Sequence, residues 1–161
     1  MVDAQDAQQL VVFTLGAEEY GLPIAQVQEI IRYTPPRSVA AGGGWVRGVI
    51  ALRGKIVPVH DLVRRLGLAP VATTPTKIVM VDGGRGAAGV VVDDVTEVLT
   101  VGGDRIDPPP AGSAAVSGIA RIDDRLVVLL DAVALFAEPE AADEPVAAVA
   151  DAVVATVGGG A

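Results

Sequence analysis

His60 is the single histidine of the chain and stands beside Asp61, so a general base, proton shuttle or imidazole metal ligand would have to be built on that pair. A zinc-type site needs three or four protein ligands. The other carboxylates are dispersed and no second histidine completes a coordination sphere. His60 is accordingly read as the outward-facing end of a strand beside a helix cap. None of the three serines, Ser38, Ser113 and Ser117, stands in a nucleophile-elbow context or beside a base. The paired carboxylates Glu18-Glu19, Asp93-Asp94 and Asp123-Asp124 are read as solvated turn residues that offer no acid and base at a defined separation. Gly42-Gly43-Gly44 and Gly83-Gly84-Arg85-Gly86 lack the Lys-Ser/Thr ending of a phosphate loop and open no helix that would hold an anion. The absence of cysteine removes thiol catalysis, disulfides and thiolate metal sites together. The expectation is a chain with no catalytic residue, no cofactor and no metal, which acts by binding.

The elements that would carry such a surface follow from composition. The 161 residues are 51% hydrophobic and 20% charged, enough for one ordinary core. Twenty-eight valines set against two phenylalanines, two tyrosines and one tryptophan favour pleated structure with small side chains. Twelve basic and twenty acidic residues give a net charge of -8, which repels phosphate backbones and anionic lipid. Nucleic acid and direct membrane insertion are therefore not expected. Met1 to Gln9 lack the basic and apolar regions of a signal peptide, and no apolar run reaches membrane-spanning length. A cytoplasmic location is expected.

Along the chain, Leu10–Leu15 and Tyr20–Ile24 flank a polar tip and read as a hairpin. After Pro23, the spacing of Ile24, Val27 and Ile31 predicts a short helix over 24–32 with Glu29 pointing elsewhere. Thr34 to Gly44, with two prolines and three glycines, reads as a loop, and Trp45 after it as the anchor of that loop on the core. Gly48–Leu52 and Lys55–Val59 form a hairpin with Arg53-Gly54 at its tip. Asp61 caps a helix, Leu62–Leu66, which Gly67 ends. The second half repeats this order: hairpin 77–92, a strand continuing over 93–99, hairpin 119–130 with an Asp123-Asp124 turn, and a helix opened by Asp131. Gly21-Leu22-Pro23-Ile24 lies over Gly89-Val90-Val91-Val92, Val27 over Val95, Glu29 over Glu97, Val46-Arg47-Gly48-Val49 over Val116-Ser117-Gly118-Ile119, and Asp61 over Asp131. Two related β units follow, each suited to a small closed barrel with few free edges. We expect a flexible N-terminus over 1–9, a core module over 10–137 divided near residue 70 with terminal strands open to exchange between the two units, and a disordered Ala/Gly/acidic tail over 138–161.

The stretch Phe13–Ile24 with Val27-Gln28-Glu29-Ile30-Ile31, the run Val46–Leu62, the segment Gly89–Val95 and the segment Gly118–Asp131 together resemble the CheW coupling-protein family of bacterial chemotaxis. The order and spacing hold over about residues 10 to 137, which is more specific than any single short motif. The resemblance implies a mainly β fold with short helices, two pseudo-symmetric five-stranded SH3-like barrels packed together. It implies a non-enzymatic adaptor that joins the cytoplasmic tips of methyl-accepting chemoreceptors to the regulatory domain of a CheA-type histidine kinase, monomeric when alone and assembled in arrays. Carried over by motif, Glu29 and Arg53 are receptor-binding residues. Val27 and Ile30 join them because a receptor helix needs desolvated apolar surface, although Val27 also lies on the face expected to pack inward. The resemblance assigns no residues to the kinase contact. Two departures stand out: Ala51 replaces the asparagine common before the Leu-Arg-Gly turn, and Arg105–Gly112 lacks the large aromatic some members present there. The alternatives are the same module in another kinase pathway, such as surface motility, and a His60-centred metal or enzyme site.

Overall fold

The computed structural model describes residues 7–38, 44–69, 73–84, 86–110 and 114–137. The expected disordered tail over 138–161 lies outside them. The N-terminal expectation is corrected in part: Gln8 and Gln9 are not a flexible leader but the start of the first strand, paired with Val101 and Thr100.

Eleven strands and two short helices make up the described fold: β1 (Gln8–Leu15), β2 (Glu18–Pro23), β3 (Val27–Arg32), β4 (Val46–Leu52), β5 (Lys55–Asp61), α1 (Leu62–Arg65), β6 (Lys77–Asp82), β7 (Ala87–Val92), β8 (Asp94–Val101), β9 (Ile106–Asp107), β10 (Val116–Ile122), β11 (Arg125–Leu130) and α2 (Ala132–Phe136). They form two sheets, in the orders β8-β1-β2-β11-β10-β9 and β3-β6-β7-β5-β4. The sheets are not the two halves of the sequence. The hairpin β1-β2 pairs with strands of the second half, antiparallel to β8 and parallel to β11. The hairpin β6-β7 pairs likewise with β3 and β5 of the first half. The first sheet has six strands because Ile106–Asp107 pairs with Ile119 and Ala120; at the equivalent place in the second sheet only Arg37 bridges to Val49.

The expected helix over 24–32 is absent. A single 3₁₀ turn, Ile24–Gln26, follows Pro23, and the chain then extends as β3 with alternating half-buried and exposed residues. The segment is β-branched at Val27, Ile30 and Ile31, and its backbone groups are satisfied by β6, so sheet pairing overrides a weak helical spacing.

Three apolar clusters explain why the hairpins read as unbroken hydrophobic runs. Leu10, Val12, Val101, Ala120, Val127 and Leu129 fill the interior of the first sheet, and Ile50, Val57, Val59, Ile78, Met80 and Val91 that of the second. Between the sheets lies a larger core that includes Phe13, Tyr20, Leu22, Val79, Val90 and Leu130. Strands β1, β2, β6 and β7 therefore bury side chains on both faces, one toward their own interior and one toward the other sheet. Alternation is lost where both faces are dry.

Both helices are capped by an aspartate at the end of a strand. The Asp61 carboxylate accepts from the Val63 and Arg64 amides at 3.0 and 3.3 Å, and Asp131 accepts from Ala134 at 3.3 Å. Gly48 sits at a β-bulge opposite Val59 with φ of +156°, and a Cβ there would collide with the Arg37 carbonyl. Only glycine lets that connection pass so close to β4.

Candidate functional site

The tip of the β4-β5 hairpin is built from Arg53 and Gly54, with φ of +51° and +79°. Two left-handed residues in succession match the twist of the flanking strands in a two-residue turn. The left-handed region is tolerated at Arg53 but unfavourable for a residue with a Cβ. It places the guanidinium, 70% exposed, against the carboxylate of Glu29. Arg53 donates both terminal nitrogens to Glu29, one to each oxygen, the Nη2 to Oε1 bond at 2.7 Å. Glu29 lies on β3 at one edge of its sheet and Arg53 beside β4 at the other. The two receptor-site residues expected from the sequence are thus partners of one another, and their pair spans the two outer strands of one barrel. Ile31 of β3 and Leu52 of β4 meet the same interior beneath it. Hydrogen bonding from Arg53, and secondarily its charge, holds the Glu29 carboxyl below the usual carboxylate range; the same bond raises the Arg53 pKa.

Val27 and Ile30 lie on the same strand but on different faces. Val27 is half-buried against the core between the sheets, while Ile30 points outward, 39% exposed. Between Val27 and Glu29 the β3-β6 register shifts by one residue, leaving Gln28 unpaired. This bulge turns Glu29 toward the hairpin tip and leaves Ile30 on the outer surface.

The other barrel carries a counterpart that the sequence reading missed. Glu97, the repeat partner of Glu29, binds Arg125 at 2.6 Å. Arg125 also forks onto Glu19 at 2.6 and 2.9 Å. These bonds lower the Glu19 pKa and raise that of Arg125. Glu19 is therefore not a solvated turn residue as expected. Nor is Asp93, which accepts from the Gly16 amide at 2.6 Å and from Thr73 at 2.8 Å. The repeat of Glu29 in Glu97 was the available signal for this site.

The outward placement expected for His60 is corrected. The imidazole is buried, its ring centroid 4.4 Å from Trp45 and 4.8 Å from Phe136, and its Nδ1–H donates to the Gly89 carbonyl at 3.3 Å. Burial pushes its pKa down to about 4, against the smaller opposing effect of the Gly89 bond. Such a ring is a neutral packing element near pH 7. Asp61 faces its own helix amides, and among the described residues no group of three or more His, Asp or Glu side chains is placed to hold a metal ion. Trp45 anchors the end of the loop on the core as expected, its ring tilted against those of His60 and Phe136. No described helix is long and apolar enough to cross a membrane.

What the expected site residues form is an exposed surface: a bidentate ion pair at a barrel edge, and the apolar Ile30, which follows Glu29 on β3 and faces outward. Residues 9–140 match the family model of the CheW-like domain. The chain is 34% identical over 142 residues to the probable chemotaxis protein CheW of Rhizobium etli, covering 84% of this chain and 92% of that protein. It is 33% identical over 141 residues to the chemotaxis protein CheW of Klebsiella aerogenes, with 84% and 85% covered. Its fold superposes on the crystal structure of the scaffolding protein TtCheW from Thermoanaerobacter tengcongensis with a TM-score of 0.74 at 34% identity, over 81% of this chain and 92% of that one.

Proposed function

The chain belongs to the CheW-like domain family, and from that premise we propose that it is a non-enzymatic chemotaxis adaptor, located in the cytoplasm, which couples the cytoplasmic tips of chemoreceptors to the regulatory domain of a CheA-type histidine kinase. Two curved sheets around dry interiors make a stiff body with two faces, which suits a scaffold that holds two partners in register. Transmission needs no chemistry. It needs a difference in contact between two receptor arrangements, since no ligand shifts an equilibrium without a difference in affinity.

The observation that carries the receptor side of this reading is the outward-facing, apolar Ile30, which directly follows Glu29 of the Glu29–Arg53 pair on β3. An apolar anchor rimmed by charge is the usual anatomy of a groove for an amphipathic helix. In this reading Ile30 supplies the anchor and Val27, half-buried against the core, holds β3 in place from the opposite face, while the outer face of Arg53, whose donors are not all used by Glu29, meets a carboxylate or carbonyl on the receptor helix. Capture of a receptor cytoplasmic fragment and, separately, of a kinase regulatory domain tests it. Ile30→Asp should lose receptor capture and keep the kinase domain. Folded Ile30→Asp and Arg53→Glu proteins that capture both partners undiminished would place the receptor site elsewhere.

A further inference from the structure

The two barrels are closed differently at one end. In the barrel of the second sheet, Ile31 of β3, Tyr33 just beyond β3 and Leu52 of β4 pack together against the buried interior that includes Ile50, Val57 and Ile78. The repeat that sets Val27 over Val95 and Glu29 over Glu97 also sets Ile31 over Leu99 and Tyr33 over Val101. In the same way Leu52 lies over Ile122. At two of these three places one aliphatic side chain replaces another. At the third a valine stands where the other barrel has an aromatic ring.

The consequence is an open cavity of about 320 Å³ in the barrel of the first sheet, lined by Leu99, Val101 and Ile122 together with Thr100, Asp104 and Arg105. The apolar lining is the same trio by which the repeat matches Ile31, Tyr33 and Leu52. Ile106, at the place that Pro36 takes in the other barrel, packs on this interior without closing the cavity. A space of about 150 Å³ lined by aliphatic side chains is enough to hold a benzene ring, so this cavity has room for a six-membered ring with a substituent.

The lining is graded from apolar to polar. Val101 is buried and Leu99 and Ile122 are half-buried, whereas Thr100, Asp104 and Arg105 are exposed at the rim. Arg105 takes part in no ion pair among the described residues. A phenol matches this gradient: its ring gains from the aliphatic floor, and its hydroxyl, once the ring is covered, needs a partner at the rim. The hydroxyl can donate to the Asp104 carboxylate or the Thr100 oxygen and accept from the Arg105 guanidinium.

We propose that this end of the barrel is a binding site for the phenol ring of a tyrosine side chain on a partner protein. The incoming ring takes the place that Tyr33 fills in the other barrel from within the chain. That the ring arrives on a protein rests on the adaptor reading; the fit of the ring does not.

Titration of the full-length protein, labelled with nitrogen-15 and with carbon-13 in its methyl groups, with N-acetyl-tyrosinamide tests the site directly. Saturable shifts are expected at Leu99, Val101 and Ile122, with a roughly millimolar Kd, as suits one side chain cut from its chain. N-acetyl-alaninamide should produce none. Val101→Tyr supplies the ring from within and should abolish the shifts. Tyr33→Val should open the matching space in the other barrel and add a second set of shifts at Ile31 and Leu52. Ile122→Phe, which narrows the cavity from β10 should Val101→Tyr fail to fold, should weaken binding by roughly fivefold or more. A parent protein without saturable shifts, or folded Val101→Tyr or Ile122→Phe proteins that bind undiminished, would overturn the proposal. Folded Tyr33→Val protein that gains no shifts would remove its basis in the repeat. Free tyrosine that binds about tenfold tighter than the capped form would reassign the site to a free amino acid, whose ammonium and carboxylate meet Asp104 and Arg105. Each of these outcomes leaves capture of the receptor fragment and of the kinase domain unaffected, so the two readings fail separately.

Discussion

Arg53 on the β4-β5 turn donates from both terminal nitrogens to the two carboxylate oxygens of Glu29, twenty-four residues earlier on β3. The pair joins the two edges of one barrel; in the other barrel Glu97 of the edge strand β8 reaches Arg125 at the start of the inner strand β11. The repeat-related glutamates Glu29 and Glu97 thus each hold an arginine of their own barrel, which gives both pairs a place in the architecture. The exposed pair contributes little to stability by itself, because solvent screens it and two long side chains must be ordered.

Charge reversal separates the two roles. Arg53→Glu should weaken binding of a receptor fragment by roughly fivefold or more while circular dichroism stays unchanged. The double variant Glu29→Arg, Arg53→Glu rebuilds the pair in reverse. Titration calorimetry should then show receptor binding still lost if Arg53 touches the receptor; recovery to the parental affinity would mean that the pair acts only by positioning the hairpin.

His60 makes the fold sensitive to acid. Its folded pKa of about 4 lies below the ordinary 6.5, so between these values the unfolded chain takes up a proton that the native chain refuses. The stability is complete above pH 6.5 and is lost as pH falls toward 4. Between pH 7.5 and pH 5 the loss should be about 2 kcal/mol, read from urea midpoints. His60→Phe, which keeps a ring between Trp45 and Phe136, should flatten that part of the curve; an unchanged slope would mean another group is responsible.

Much of the fold was legible because its signals are local. The Arg53-Gly54 and Asp123-Asp124 turns, the aspartate caps at Asp61 and Asp131, and the repeat itself all lie within a few residues of what they shape. What could not be read depends on distant partners. His60 is buried by Trp45, fifteen residues before it, and by Phe136, seventy-six after it. Glu19 is paired by Arg125. Which half supplies the neighbours of β1-β2 is a matter of non-local pairing that a repeat leaves open. The helix expected over 24–32 was correctable from sequence, because its repeat partner, 92–100, had already been read as strand. Likewise Glu29 and Arg53 were both identified, but not that they bind each other.

Arg125 should matter more to stability than Arg53, since it holds two carboxylates that would otherwise repel. Glu19 and Glu97 both lie at 2.6 Å from its Nη2. With a third of the side chain exposed, the effect is discounted for screening, and Arg125→Ala should cost roughly 1 kcal/mol at low salt. The gap from the parental protein should narrow in half-molar sodium chloride as the freed carboxylates are screened. A gap that is constant with salt would assign the loss to packing of the arginine stem.

Gly21 and Gly89 occupy the same place in the two halves, and the fold predicts that they differ in tolerance. Each faces the interior of its barrel. A Cβ on Gly89 would lie 2.7 Å from Ile78 Cγ2 and 3.2 Å from Met80 Sδ; on Gly21 the nearest atom is Val127 Cγ1 at 3.3 Å. Ile78 and Met80 are both buried in the same interior. Gly89→Ala should therefore destabilise by about 1–3 kcal/mol, the usual range for overpacking, and Gly21→Ala by less. Ile78→Ala removes the clashing methyl and leaves a cavity of its own, so the Gly89→Ala, Ile78→Ala double variant should be more stable than the sum of the single losses by roughly 1 kcal/mol. Urea unfolding of the four proteins closes that cycle. Additive losses would show that the strain at Gly89 is relieved by backbone movement and not by the Ile78 side chain.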